Sequence, residues 1–288
     1  MVNSITKLSP VKINLYLEVL NKTKSGYHNL ESLMTLCDCG DVINIKKASE
    51  FKLSIDGPFA KGLADKNNII LKSFSLIEKV FRKNFYVHIN LTKNLPISSG
   101  MGGGSSNAAT TILCMKELFN LDLDRKFLKY LFSLGADVPF CYQRKSALVK
   151  GKGEIILPLK KAIPQYHVLL VNPLIEISTK KIFEKIKISK RTKNNFDEKL
   201  INNQQIINFL NLKKNDLEKE AILQCNQIKI ILDFIKKKTK PLISRMTGSG
   251  ATCFALYENH DNLEEANNLL KQKFKDYWVK KTKLANVL

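Results

Sequence analysis

Residues 95 to 109 read Leu95-Pro96-Ile97-Ser98-Ser99-Gly100-Met101-Gly102-Gly103-Gly104-Ser105-Ser106-Asn107-Ala108-Ala109. Glycines lack the Cβ that blocks close approach or positive φ, so a cluster of them lets several backbone N–H groups converge on one anion. The serines stand where a helix begins, and the unpaired N–H groups and dipole of a helix N-terminus favour negative charge. The chemistry of such a stretch is polyphosphate binding, with a side chain at Gly103 expected to stand where the phosphates approach. No lysine follows the glycines as in a Walker loop, and no acidic residue lies about 20 positions on as a dinucleotide site requires. This is a third kind of phosphate loop.

Other residues have types suited to chemistry. Asp137 lies in Gly135-Ala136-Asp137-Val138-Pro139-Phe140, a carboxylate among apolar neighbours that needs a partner, for which a lysine is the obvious choice. Lys12 and Asn14 alternate with Ile13 and Leu15, which places both on one face of a strand, a face able to look into a site. Tyr27 and His28 follow Gly26 in a turn.

These residues need elements to hold them. Phe85, Val87, Ile89 and Leu91 alternate with polar neighbours, the period of a half-buried strand entering the glycine stretch. Ala108, Ile112, Met115 and Phe119 recur at helical spacing on its far side. Further strands are expected at 13–19, 42–45, 51–55 and 168–171, and helices at 68–81 and 122–134, the latter stopped by Gly135. Pro158 and Pro164 bracket a short basic run, giving domains of 1–160 and 161–288. The segment 194–219 is expected to be surface helix and loop, with Ile206, Ile207, Phe209 and Leu210 available for packing.

The 288 residues can bury a sizeable core, no run of 18 apolar residues exists, and the start of the chain lacks the apolar stretch of a signal peptide, so a cytoplasmic location is expected. Cys37, Cys39, Cys114, Cys141, Cys225 and Cys253 show no Cys-x-x-Cys spacing and fall mostly in apolar segments, which points to buried thiols without zinc or disulfides. The net charge of +21 would attract RNA nonspecifically. Its lysines are nevertheless spread over helix faces without interleaved aromatics for base stacking, so a solvated surface is the better reading.

The glycine stretch resembles the phosphate loop of the GHMP kinases, Pro-x-x-x-Gly-Leu-Gly-Ser/Gly-Ser-Ser-Ala, with Met101 in place of leucine and Asn107 before Ala108. Ser9-Pro10-Val11-Lys12-Ile13-Asn14-Leu15 resembles the family's first motif, and Met246-Thr247-Gly248-Ser249-Gly250-Ala251 its third. The resemblance implies an α/β (α+β) fold of the GHMP two-domain architecture, with an N-terminal domain like ribosomal protein S5 domain 2 and a ferredoxin-like C-terminal domain. Ser25-Gly26-Tyr27-His28-Asn29-Leu30 and Gly135 to Phe140 narrow it to a branch whose acceptor is a methylerythritol carrying a diphosphocytidyl group, phosphorylated by ATP on the non-mevalonate route to isoprenoid precursors.

By that resemblance Asp137 is the general base and Lys12 orients it. Pro96, Gly100, Met101, Gly102, Gly103, Gly104, Ser105 and Ser106 form the ATP phosphate loop, with Asn68 and Lys93 as further nucleotide contacts. Tyr27 stacks on cytosine and His28 bonds its edge, Asn14 and Thr179 contact the rest of the acceptor, and Gly248, Ser249 and Gly250 form the third glycine motif. Mg²⁺ is implied with the polyphosphate, held by phosphates, water and a loop serine, with no protein metal site. The partners are small molecules, with no specific nucleic acid or membrane, and the chain is a monomer or homodimer. Two alternatives stay open: a sister kinase acting on homoserine or mevalonate, which need not have the Gly26-Tyr27-His28 turn, and an RNA-associated module, which would not require Asp137.

Overall fold

The computed structural model describes residues 2–23, 26–63, 68–123, 127–188 and 196–285. Ser25, and the parts of the expected segments at 124–126 and 194–195, lie outside them. The chain divides into two compact units. One comprises Met1–Val11, Cys39–Ile97 and Gly102–Arg144, the other Lys12–Asp38, Ser98–Met101 and Lys145–Leu288. Two long strands, β1 (Ser4–Lys22) and β2 (His28–Lys47), contribute to both units and pair with each other.

In the first unit the far half of β2 pairs antiparallel with β4 (Val87–Thr92), from Val42 opposite Thr92 to Lys47 opposite Val87, and β3 (Lys52–Asp56) runs parallel to β4. The alternation read between 85 and 91 is the burial alternation of β4, whose odd-numbered side chains face the core. Helix α1 (Ile69–Phe81) buries Ile70, Phe74 and Ile77, a stripe at spacings of four and three residues, and begins at Asn68, whose side chain accepts from the Ile70 N–H. Helix α2 (Gly103–Phe119) packs on α1 and on α4 (Val138–Gln143). Its small residues Ala108, Ala109, Thr110 and Thr111 are buried beside Ile112, Cys114, Met115 and Leu118, so it is buried nearly all round. Helix α3 (Phe127–Leu134) supplies the end of the helix expected over 122–134.

In the second unit the near half of β2 pairs with β5 (Ala147–Gly151), which forms a hairpin with β6 (Ile155–Pro158). An antiparallel set continues through β10 (Trp278–Ala285), β7 (His167–Asn172), β9 (Cys253–Tyr257) and β8 (Ile243–Met246). Helices α8 (Gln227–Lys238) and α9 (His260–Lys273) lie on these strands, burying Ile231, Ile235, Leu263 and Leu270 against Leu169, Val171 and Ala255. Three shorter helices complete the unit: α5 (Thr179–Lys185), α6 (Asn203–Asn211) and α7 (Glu218–Gln224). Ile206, Ile207, Phe209 and Leu210 of α6 are all buried, as their apolar spacing within a polar segment required.

Both faces of β1 are buried from Ser9 to Leu17, with Lys12 only 4% and Asn14 only 3% exposed. Alternation in sequence marks two different faces and does not say that either is wet. All six cysteines are buried. Among the described residues no helix is long and apolar enough to cross a membrane.

Candidate functional site

In the first unit the site begins at the N-terminus of α2. Its cap, Gly102, takes φ 65°, a left-handed conformation that favours glycine, and no side chain caps the helix. The N–H groups of the first turn are therefore left for an outside acceptor, at the positive end of the helix dipole.

Beneath this terminus lies a buried polar cluster that sequence reasoning missed. Asp41, fully buried, accepts from Lys93 Nζ at 2.6 Å, from the Asn94 and Leu95 N–H groups at 2.8 and 2.9 Å, and from Asn107 Nδ2 at 2.9 Å. Ser9 Oγ then donates to Asn107 Oδ1 at 2.6 Å. One carboxylate so ties β2, the end of β4, the chain entering the loop and the second turn of α2 together. Burial pulls the Lys93 ammonium below its ordinary pKa, and the Asp41 charge opposes that shift. Lys93, expected as a nucleotide contact, is thus held by Asp41. The signal in the sequence was an aspartate directly after Gly40, two positions before the alternating Ile43 and Ile45.

A Cβ on Gly103 would lie 3.4 Å from Lys93 Nζ and 3.5 Å from Leu95 Cδ1, on the side of this cluster. Gly104 is exposed, and its Cβ would meet only Ile69 Cγ2, at 3.8 Å. The start of α1, and with it Asn68, therefore lies beside the loop. Asn68 spends its side chain on the α1 cap and on the Leu63 carbonyl.

Asp137 enters from the same unit. It stands at the start of α4, half-buried, and its side chain does not cap that helix. Two residues earlier, a Cβ on Gly135 would lie 3.6 Å from Ser105 Oγ, an ordinary contact distance that places the turn carrying Asp137 beside the loop serine. Ser105 is half-buried, whereas Ser106 is fully buried with its Oγ unpartnered. Pro96 and Met101 are buried supports.

In the second unit Gly100 takes φ 75°, and a Cβ on it would come within 2.6 Å of the Thr247 carbonyl oxygen and 2.7 Å of that of Gly250. Gly248 presses in return on the Gly100 carbonyl, 2.5 Å from where its own Cβ would be. The second and third glycine motifs thus meet backbone to backbone. The N–H of Lys12 donates to the Met101 carbonyl at 3.1 Å, attaching the first motif as well. Asn14 is fully engaged: its Oδ1 accepts from Lys12 Nζ at 2.9 Å, its Nδ2 donates to Ser32 Oγ at 2.8 Å, and its N–H donates to Thr247 Oγ1 at 2.9 Å. Thr179, at the start of α5, shares a hydroxyl–hydroxyl hydrogen bond of 2.6 Å with Ser249.

The Gly26-Tyr27-His28 turn is held by the Tyr27 carbonyl, which accepts from the Thr23 N–H and hydroxyl. Tyr27 is 61% exposed, with Lys152 Nζ 4.3 Å from its ring centroid, a contact that sequence reasoning missed. His28 lies 5.4 Å from the Phe183 ring at 32°. Burial, with the nearby Lys22 charge, lowers its pKa from the ordinary 6.5, so at neutral pH the imidazole is uncharged and offers one donor and one acceptor.

A glycine-opened helix terminus with the turn at Gly135 beside its Ser105 offers the donors that phosphoryl transfer requires, and fits an enzyme of the small-molecule kinase class. The family models agree. "GHMP kinases N terminal domain" matches residues 68–145 and "GHMP kinases C terminal" matches 198–276. A protein of Rhizobium etli named 4-diphosphocytidyl-2-C-methyl-D-erythritol kinase is 35% identical over 281 residues, covering 96% of this chain and 94% of that protein. One of Brucella melitensis with the same name is 36% identical, covering 91% and 89%. Among solved structures, a 4-(cytidine 5'-diphospho)-2C-methyl-D-erythritol kinase superposes with a TM-score of 0.79 at 24% identity, over 98% of this chain and 99% of that one. Homoserine kinase from Cytophaga hutchinsonii gives 0.77 at 15%, over 100% and 96%. The chain belongs to the GHMP kinase family, in the group of the 4-diphosphocytidyl-2-C-methyl-D-erythritol kinases. It is an ATP-dependent kinase with small-molecule substrates.

Proposed function

We propose that the chain transfers the γ-phosphoryl group of ATP to the 2-hydroxyl of 4-diphosphocytidyl-2-C-methyl-D-erythritol, in the non-mevalonate route to isoprenoid precursors. The observation that carries this reading is the approach of the Gly135-to-Asp137 turn to Ser105 at the open terminus of α2. Phosphoryl transfer needs a hydroxyl held in line, a group to accept its proton, and donors for the phosphate oxygens. The N–H groups of the first turn of α2 and the Ser105 hydroxyl are the donors. Asp137, whose carboxylate does not cap its own helix, accepts the proton from the acceptor hydroxyl, and the family resemblance gives Lys12 the role of orienting it.

Among the described residues no three His, Cys, Asp or Glu side chains stand together as a metal cage. Mg²⁺ keeps several waters and binds through few protein groups together with substrate phosphates, and the Ser105 hydroxyl would be its protein ligand here. When bound, the ion neutralises charge on the phosphate oxygens. The acceptor is selected at the Tyr27 ring and the uncharged His28 imidazole, which match a flat base with donor and acceptor edges.

A panel of alcohols offered with ATP and Mg²⁺, read by ADP release, tests the assignment. Release with the diphosphocytidyl alcohol alone is expected. Comparable release with homoserine or mevalonate would move the chain to a sister kinase.

A further inference from the structure

The second unit holds a cavity of about 410 Å³ at the strand β8, within the size range of small-molecule sites. Its walls are unusual in charge. Lys213, Lys214, Lys236, Lys240 and Arg245 line it, against the single carboxylate of Glu218. Lys213 Nζ is paired with Glu18 at 2.9 Å and Lys214 with Asp216 at 3.6 Å, both carboxylates outside the lining. Lys236 and Lys240 have no ion-pair partner among the described residues.

Arg245 is 7% exposed and donates to two neutral acceptors, the Leu15 carbonyl at 2.6 Å and the Leu210 carbonyl at 2.8 Å. Glu218, whose charge acts on Arg245, also accepts from the Met246 N–H at 3.0 Å. Ser244 also lines the cavity, and its Oγ is buried without a partner. Concave walls of one sign concentrate the field they create. Unpaired cations gathered there repel one another until an anion enters.

We propose that this cavity is a binding site for a small anion bearing a phosphate or diphosphate group, separate from the ATP phosphate loop. Lys236 and Lys240 at its mouth meet the phosphate charges, and Arg245 sets the positive potential of its floor. Two of its walls reach residues of the functional site in the same unit. Asn215 Nδ2 donates to the Met246 and Gly248 carbonyls at 2.9 and 2.8 Å, and Arg245 holds the carbonyl of Leu15, next to Asn14.

The test is calorimetric titration of the full chain with inorganic pyrophosphate at fixed ionic strength, for the wild type, the cavity variant Lys236→Ala/Lys240→Ala and the control Lys271→Ala/Lys273→Ala. The control removes the same charge from exposed positions on α9. A saturable class of sites weakened at least tenfold in the cavity variant and unchanged in the control is expected, with the turnover number at saturating ATP and acceptor retained in both. Superimposable isotherms for wild type and cavity variant, or an equal loss in the control, would overturn the proposal.

Discussion

Asp137 and His28 carry the reading at the scale of single residues, and each has its own test. Replacing Asp137 with Asn removes the proton acceptor but keeps size and shape, so turnover should fall about 10² to 10⁴-fold, the usual contribution of a general base. ATP affinity by calorimetry should stay within about threefold. Turnover within about threefold of wild type would remove Asp137 from the mechanism. For His28 the sign follows from the lowered pKa. The ring is neutral above that value and gains a proton only as pH falls below the ordinary 6.5, next to the Lys22 charge. Affinity for the diphosphocytidyl alcohol should therefore be flat between pH 7 and 8 and weaken below pH 6, a dependence that His28→Asn should abolish.

At the scale of elements, the open end of α2 is held from below and the loop before it from the side. Asp41 is the support from below. Asp41→Asn would leave the buried Lys93 ammonium without its counter-charge, and breaking one partner of a buried pair costs about 3–5 kcal/mol. Denaturant unfolding should show a loss of that order, with a raised KM for ATP in whatever fraction remains folded, because Asn107 and the loop entry lose the same anchor. Wild-type stability would mean that the cluster is not the anchor. The lateral support is the meeting of Gly100 and Gly248. Gly100→Ala would place a Cβ within 2.6 Å of a carbonyl oxygen at φ 75°. Strained backbone of that kind costs about 1–3 kcal/mol before the clash is counted. Unfolding at lower denaturant is expected, and Gly104→Ala, at an exposed position with its nearest neighbour 3.8 Å away, should be tolerated far better.

At the scale of the whole molecule the +21 charge is a property of the surface, and most of its lysines belong to no site described here. Retention on homopolymer RNA should therefore be lost as salt rises from about 50 to 200 mM, without preference among sequences, as expected for phosphate neutralisation alone. Alcohol-dependent ADP release should persist over the same range. Binding that survives that salt or discriminates among sequences would call for a nucleic-acid role.

Much of the fold was legible because local periodicity and glycine chemistry are written in neighbouring residues. The β4 alternation, the α1 stripe with Asn68 at its head, and the glycine opening of α2 each depend on a few consecutive positions. The family was legible for the same reason, since its three motifs are short and contiguous. What tertiary structure alone decided was the direction and commitment of side chains. A strand pattern could not say that Lys12 and Asn14 are both buried, nor could the loop's own residues say that a Cβ on Gly103 would meet Lys93 and Leu95. Asp41 lies 52 positions from Lys93 and 66 from Asn107, and Gly100 lies more than 140 from Thr247 and Gly250. Contacts over such separations leave no periodicity for a sequence to display. They form because a buried carboxylate must collect donors wherever the fold brings them, and because a glycine without a Cβ lets another stretch of backbone press against it.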